Sequence, residues 1–214
     1  LDGTLLDSYR RITEENRQAI ARLQENDIEF IINTGREYQN VLDIAAEANL
    51  KCGMICSNGA SGYDENGNLL FQHFIPMEHV KEIIRIFHQL DFTPNLFSQF
   101  GRLSILSEEK LREYTKNVMI PAMQLSHPNF VYTENALNDL VKRVIYIDGE
   151  EALYQSDHKI LKITTHSPKP ERLAELREAL KEVPDLAIAN TSIADIEITS
   201  VHAQKGIGLM DYAK

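Results

Sequence analysis

A largely apolar strand that ends in a small polar loop occurs twice near the start of this 214-residue chain. The run Ile28 to Asn33 is too continuously apolar for a sheet with one solvent-facing side, and it ends at Thr34-Gly35-Arg36. A helix is predicted from about Glu37 to Ala48, and a second apolar run, 53–56, ends at Ser57-Asn58-Gly59. Apolar strands that alternate with helices predict a parallel α/β sheet with helices on both faces. Ligands bind at the carboxyl ends of such strands, so both loops are candidates for a site.

Composition narrows the classes of function. The formal net charge is −10, with 25% charged residues, and nucleic acid binding requires clustered Lys and Arg, so no nucleic acid partner is expected. No apolar run approaches the ~20 residues that span a bilayer, and no leader pattern opens the chain, so a cytoplasmic protein without a membrane partner is expected. Cys52 and Cys56 are interpreted as buried thiols in a reduced compartment. The sequence makes no prediction of oligomeric state.

A second α+β unit is predicted inside the first. Asn66-Gly67 between two extended pieces indicates a β-hairpin, and from about Met77 the pattern changes to mixed helices and strands. Asp195 to Thr199 is predicted as a strand and Gly206 to Ala213 as a helix, and we interpret both as the return of the first domain. The expected fold is a Rossmann-like parallel-sheet core made of residues 1–77 and 190–214. An α+β cap is inserted over residues 78–189.

Four short polar segments fall at strand ends or at a helix start of the predicted core. They are Asp2-Gly3-Thr4, Thr34-Gly35-Arg36, Asn58-Gly59 and Lys205-Gly206. Together they offer a carboxylate on a tight turn, a hydroxyl beside backbone amides, a guanidinium, a side-chain amide and an ammonium. Phosphoryl transfer needs such a set, because the work is mostly positioning the phosphoryl group and neutralising the charge on its oxygens. Each segment alone is ordinary turn chemistry, so the prediction depends on their order and spacing.

With their flanking residues, these segments resemble the haloacid-dehalogenase superfamily of phosphatases, and within it the Cof-type branch with a C2-type (IIB) cap. The resemblance covers essentially the whole chain, and the matching segments are Leu1 to Leu6, Ile32 to Arg36, Ser57 to Ala60, Tyr63 to Gly67, Lys159 to Ile163, Ile196 to Ile198 and Lys205-Gly206. It implies a magnesium-dependent phosphatase that acts through an aspartyl-phosphate intermediate. The implied partners are small phosphorylated metabolites: sugar phosphates, nucleotides or phosphorylated cofactors.

The resemblance also implies residue roles. The family's opening motif is D-x-D-G-T, in which the first Asp attacks phosphorus and the second is the general acid and base. Asp2 matches the second Asp, and its backbone carbonyl would be a magnesium ligand. Thr34 matches the phosphate-binding hydroxyl, and Lys205 the cation that holds the phosphate and the charge of the nucleophile. Substrate or phosphate contacts are implied at Gly35, Arg36 and Asn58.

The sequence departs from the family pattern at both ends. The first Asp would stand immediately before Leu1, and the Gly-Asp loop that supplies magnesium carboxylates would follow Lys214. We therefore interpret the chain as truncated, without its nucleophile and its metal carboxylates. Two alternatives stay open: a catalytically inactive relative that binds a metabolite or partner, and a phosphomutase or dedicated sugar-phosphate phosphatase. Of the other polar residues, His202 lies near the predicted site in sequence, whereas Lys159 and Lys162 are interpreted as solvated or structural.

Overall fold

The computed structural model of the protein describes residues 1, 4–7, 11–126, 128 and 131–214. The chain forms two compact units, residues 1–73 with 201–214 and residues 74–200. The elements follow in chain order as α1 (Glu14–Gln24), β1 (Ile31–Asn33), α2 (Tyr38–Glu47), β2 (Gly53–Cys56), β3 (Ser61–Tyr63), β4 (Leu69–Gln72), α3 (Met77–Gln89), β5 (Asn95–Ser98), β6 (Gly101–Ser104), α4 (Glu108–Tyr114), α5 (Ile120–Ser126), α6 (Glu134–Lys142), β7 (Ile145–Tyr146), α7 (Gly149–Gln155), β8 (Ile160–His166), α8 (Pro170–Ala179), β9 (Leu186–Ala189), β10 (Asp195–Ser200) and α9 (Lys205–Tyr212). A 3₁₀ turn over Ser57–Gly59 follows β2, and a π-helical turn over Thr115–Met119 joins α4 to α5.

The first unit contains a four-stranded sheet in the order β1-β2-β3-β4. β1 and β2 are parallel, with Ile32 opposite Met54, and α2 connects them. β3 and β4 form the predicted antiparallel hairpin, in which the Asp64 carboxylate accepts from the backbone N–H of Asn66 and of Asn68 at 2.8 Å. These side-chain bonds help to hold the turn closed. The predicted α/β fold class is confirmed.

Helices cover both faces of the parallel pair. On one face Ile32 and Met54 pack with Val41 and Ala45 of α2. Since side chains alternate along a strand, Gly53 and Ile55 point to the opposite face, where α9 lies. A Cβ on Gly208 of α9 would stand 3.0 Å from Ile55 Cγ2, so this helix contacts the sheet at backbone distance. Its first turn is thereby placed beside the carboxyl ends of β1 and β2.

The second unit is a six-stranded sheet in the order β7-β6-β5-β8-β10-β9. One face is apolar and packs against α3 and α8, where Phe87, Ile163 and Leu176 are fully buried. The other face is polar, and Lys162 Nζ lies 3.0 Å from Glu197 Oε1 with only 5% of the lysine side chain exposed. The interpretation of Lys162 as structural therefore fits its position, because a buried charge requires a partner.

One strand was assigned to the wrong domain from the sequence. β10 pairs antiparallel with β8, from Asp195 opposite His166 to Thr199 opposite Lys162, and with β9 on its other side. It belongs to the second unit, and the chain returns to the first unit only after Ser200. The alternation of Ile196 and Ile198 with polar residues predicts a strand correctly, but alternation does not identify the partner strand.

Several elements of the second unit have no counterpart in the sequence predictions, among them α5, α6, α7 and β9. Each is short, and α6 buries only Leu137 and Val141 while α7 buries Leu153. α6 nevertheless carries apolar residues at helical spacing, Leu137, Leu140 and Val141, so a signal for this helix was present in the sequence. Within the described ranges, the structure contains no helix of the length and hydropathy that crossing a membrane would require.

Candidate active site

Asp2 and Gly3 lie outside the described residues, so the acid–base and metal roles predicted for Asp2 remain predictions. The described residues that flank them are bonded to each other. Leu1 O accepts from the Thr4 hydroxyl at 3.0 Å and from the Leu5 N–H at 2.9 Å.

Thr34 follows β1 directly and is held by both of the neighbouring segments. Its N–H donates to Ile55 O at 2.9 Å, and its carbonyl accepts from the Asn58 N–H at 3.0 Å. Its Oγ1 accepts from the Arg36 N–H at 3.3 Å. Thr34 is only 4% exposed, so these bonds satisfy polar groups that would otherwise be costly to bury. The hydroxyl predicted to bind phosphate is thus fixed by backbone bonds rather than by packing alone.

The loop after β2 is tied to the loop after β1 and has an unusual backbone. The Ser57 N–H donates to Arg36 O at 2.8 Å, which closes a second bond between the two loops. Ser57 and Asn58 have φ of 50° and 63°, in the left-handed region that non-glycine residues seldom adopt. Strained backbone of this kind persists only where its surroundings hold it, and it is common at functional sites.

Gly59 brings the same loop into contact with the segment before Lys205. Its φ is +97°, and a Cβ at this position would stand 2.4 Å from Gln204 O. Gly208, one turn into α9, is equally close, because a Cβ there would stand 3.0 Å from the Gly59 Cα. Two glycines therefore allow the first turn of α9 to lie directly on the loop that carries Asn58.

Lys205 is the first residue of α9 and is exposed. Its carbonyl accepts from Asn33 Nδ2 at 3.0 Å, which ties it to the last residue of β1. Gln204, the N-cap residue, makes no side-chain capping bond, as far as the structure describes the chain. The N–H groups of a helix's first turn lack partners within the helix, and this end also carries the positive end of the helix dipole.

Arg36 turns toward α2 rather than away from it. Its Nη1 donates to Asn40 Oδ1 at 2.7 Å, in the first turn of that helix. The guanidinium therefore lies beside the Thr34 loop, with its Nη1 bonded to α2. Gly35 lies between these two residues and is half-buried.

The structure thus brings together five of the six predicted site residues: Thr34, Gly35, Arg36, Asn58 and Lys205. Sequence reasoning assigned no role to Asn33. The signal that could have identified it is a polar residue at the end of an otherwise apolar strand, next to a candidate phosphate ligand. Its partner lies 172 residues away, so the contact itself could not be inferred from local sequence.

The two cysteines of this unit are free and buried, and their burial was predicted. Burial raises the pKa of Cys52 to about 11 and that of Cys56 to about 12. A thiol acts as a nucleophile only after it loses its proton, so neither cysteine is activated at neutral pH.

No group of three or more His, Cys, Asp or Glu side chains in the described parts of the chain is arranged to hold a metal ion. A hard cation such as Mg²⁺ requires several oxygen ligands, so these residues by themselves do not fit a magnesium site. We therefore derive no step through a metal ion.

The arrangement is suited to binding a phosphate group. It combines a fixed hydroxyl, the amide side chain of Asn58, an ammonium and the amino end of a helix at one edge of a sheet. Backbone N–H groups at helix starts and compact loops bind phosphate oxygens, and a cation neutralises their charge. What the described residues supply is therefore positioning and charge neutralisation for an anion.

Comparison with known proteins gives matches along the full chain. The model of a family described as haloacid dehalogenase-like hydrolase matches residues 1–214. Phosphatase YwpJ of Bacillus subtilis (strain 168) is 26% identical over 224 residues, which cover 100% of this chain and 76% of YwpJ. From the same organism, 5-amino-6-(5-phospho-D-ribitylamino)uracil phosphatase YcsE is 28% identical over 104 residues, or 48% of this chain and 42% of YcsE.

A solved structure shares the fold. The structure of a haloacid dehalogenase-like hydrolase from B. subtilis superposes with a TM-score of 0.82 and 22% sequence identity. The match covers 100% of this chain and 75% of that one. Its agreement extends over both compact units of the chain.

Proposed function

The chain belongs to the haloacid dehalogenase-like hydrolases, and on this premise we propose that it is a phosphatase for small phosphorylated metabolites. The superfamily and the Cof-type branch predicted from the sequence are confirmed, and so is the class of enzyme, a hydrolase. The proposed site consists of Thr34, Asn58 and Lys205, with Gly35 and Arg36 beside them.

One observation supports this proposal more than any other. The loops after β1 and β2 are bonded to each other through Thr34, Arg36 and Ser57, and the first turn of α9 lies against them. Three segments far apart in sequence are thereby held at one sheet edge with their polar groups together. Such preorganised donors are most effective for a group whose negative charge grows during the reaction.

The proposed roles follow from the chemistry of each side chain. The Thr34 hydroxyl donates to a phosphate oxygen, the Lys205 ammonium neutralises charge on the phosphate, and the Asn58 amide contacts the phosphate or the leaving group. Asp2 is proposed as the general acid that protonates the leaving oxygen and then as the base that activates water. In a full-length protein with an aspartate immediately before Leu1, that aspartate is proposed as the nucleophile.

We propose sugar phosphates, nucleotides or phosphorylated cofactors as substrates. The names of YwpJ and YcsE describe phosphatases, and that of YcsE specifies a phosphorylated ribityl compound. A phosphomutase or a dedicated sugar-phosphate phosphatase would use the same phosphate site with a different acceptor. A catalytically inactive relative would bind the same ligands without turnover.

The experiment is hydrolysis of p-nitrophenyl phosphate by the full-length protein, with magnesium and with a chelator in its place. We expect release of nitrophenol only with magnesium, because the family's charge neutralisation depends on the ion. Phosphate binding without any turnover in magnesium would favour the inactive binding protein. Transfer of the phosphate within a sugar phosphate, without its release, would favour a mutase.

A further inference from the structure

Asn33 connects the two segments that carry the proposed phosphate ligands. It is the last residue of β1, and Thr34 follows it directly. Its side-chain Nδ2 donates to the backbone carbonyl of Lys205 at 3.0 Å, a bond that joins residues 172 positions apart. Asn33 is therefore covalently next to Thr34 in one ligand segment, and its side chain is hydrogen-bonded to Lys205 in the other.

The register of the sheet explains why Asn33 can reach α9. Asn33 pairs with Ile55, and both residues lie on the face of the sheet opposite to α2. The same face receives Gly208 of α9 at contact distance from Ile55. The amide of Asn33 thus lies between the sheet and the first turn of the helix, where it is hydrogen-bonded to the backbone of Lys205.

Among the described residues, backbone contacts rather than other side-chain bonds hold the start of α9. Lys205 is exposed, and Gln204 makes no side-chain capping bond within the described chain. The turn is otherwise held by the contact of Gly59 with Gln204 and by packing that begins at Gly208. The bond from Asn33 is a side-chain hydrogen bond to the backbone of Lys205 itself.

Asn33 is also kept at an energetic disadvantage. Its Oδ1 is buried, and no donor for it exists among the described residues. An unpaired buried acceptor destabilises the folded state, so packing alone would favour a smaller or apolar residue here. The feature that offsets this disadvantage is the donor on the other side of the amide, which reaches Lys205.

We propose that Asn33 is a positioning residue, whose amide fixes the first turn of α9 so that the Lys205 ammonium meets the phosphate held by Thr34. This inference rests on the proposed function. Asn33 does not contact the phosphate; it sets the distance between the two groups that do. Small displacements of a binding group lower the rate strongly, because catalysis depends on preorganised geometry.

The test is a double-mutant cycle with Lys205 in the full-length protein. Asn33→Leu keeps roughly the size of the side chain without a donor, and we expect kcat/KM for p-nitrophenyl phosphate to fall about tenfold. In a Lys205→Ala background the same change should lower kcat/KM less than twofold, because the residue that it positions is gone. Equal losses in both backgrounds would overturn the inference and indicate a general structural role.

Asn26→Ala is the matched control, because Asn26 Nδ2 also donates to a backbone carbonyl, that of Arg22 at 2.8 Å, in α1. Its kcat/KM should equal that of the wild type. A fall as large as that of Asn33→Leu would show that loss of any such bond impairs turnover, and it too would overturn the inference.

Hydrogen exchange provides a readout that does not depend on turnover. In Asn33→Leu the first bonded amides of α9, those of Gly208 and Leu209, should exchange severalfold faster than in the wild type, while those of α1 are unchanged. Unchanged exchange at the start of α9 would overturn the inference, even if the protein is active. A wild-type protein without activity, but with faster exchange in Asn33→Leu, would contradict the proposed function and leave the tether established.

Discussion

At the scale of single residues, Thr34 shows how the backbone prepares a side chain for a ligand. Its Oγ1 already accepts from the Arg36 N–H, and a hydroxyl has one hydrogen to donate. The accepted bond leaves that hydrogen for an oxygen of the ligand. The resemblance predicted this hydroxyl as a phosphate ligand, and the structure adds the reason that it is held in place.

A second residue, His166 at the end of β8, is half-buried, and its Nδ1 is fully buried. Its Nδ1 has no hydrogen-bond partner in the part of the chain that the structure describes. The pKa of His166 is lowered to about 4, chiefly by burial; Arg102 and Lys162 also lower it, and Asp195 and Glu197 oppose the shift. His166 is therefore neutral in the folded protein at neutral pH.

We predict that His166 makes stability depend on pH between its ordinary pKa of 6.5 and about 4. In this range the unfolded chain binds a proton that the folded chain does not, so the free energy of unfolding falls as pH falls. The full loss is on the order of 3 kcal/mol, from a difference of 2.5 between the two pKa values. Above pH 6.5 the effect vanishes.

Urea unfolding of the wild type and of His166→Gln from pH 7 to pH 4 measures this dependence. The free energy of unfolding of the variant should fall less steeply with falling pH than that of the wild type. The difference in slope should correspond to the uptake of at most one proton on unfolding. Identical slopes for the two proteins would show that the folded protein does not hold His166 in its neutral form.

At the scale of elements, the contact between the loop over Ser57–Gly59 and α9 determines the geometry of the site. Gly59 and Gly208 allow backbone to lie on backbone, so the loop that carries Asn58 and the helix that carries Lys205 share one surface. A side chain at either glycine would separate them. Stability and ligand geometry are therefore coupled at this contact.

Gly59→Ala should lower the free energy of unfolding by about 3 kcal/mol, because it adds a clash with Gln204 O to the conformational cost of a positive φ. Gly149→Ala is the matched control. Gly149 has φ of +82° but nothing within 4 Å of an added Cβ, so only the conformational cost of about 1 kcal/mol is expected. Equal losses in the two variants, measured by urea unfolding, would contradict the packing described for Gly59.

The elements that the sequence predicted well are those with strong local signals. The hairpin of β3 and β4 follows from Asn66-Gly67, and α2 from its position between two apolar strands. β10 was predicted as a strand but given to the wrong domain, because its alternation fits any half-buried sheet. Pairing between distant strands is decided by the tertiary structure, which local patterns do not contain.

At the scale of the whole molecule, the predicted site lies within one compact unit although its segments span almost the full chain. The unit is made of residues 1–73 and 201–214, and the second unit is inserted between them. The order of the polar segments was sufficient to predict that they belong together, through the resemblance. The bond from Asn33 to Lys205 and the contact of Gly59 with Gln204 could not be predicted, because each depends on the distance between two backbones.

The most direct test of the account is the effect of Lys205→Ala on hydrolysis of p-nitrophenyl phosphate by the full-length protein with magnesium. We expect kcat/KM to fall about 10²-fold or more, since removal of one preorganised group at a phosphate has effects of this size. Lys181→Ala removes an exposed lysine paired with Glu178 in the other unit and should leave kcat/KM unchanged. A Lys205→Ala protein within twofold of the wild type would contradict the assignment of this sheet edge as the active site.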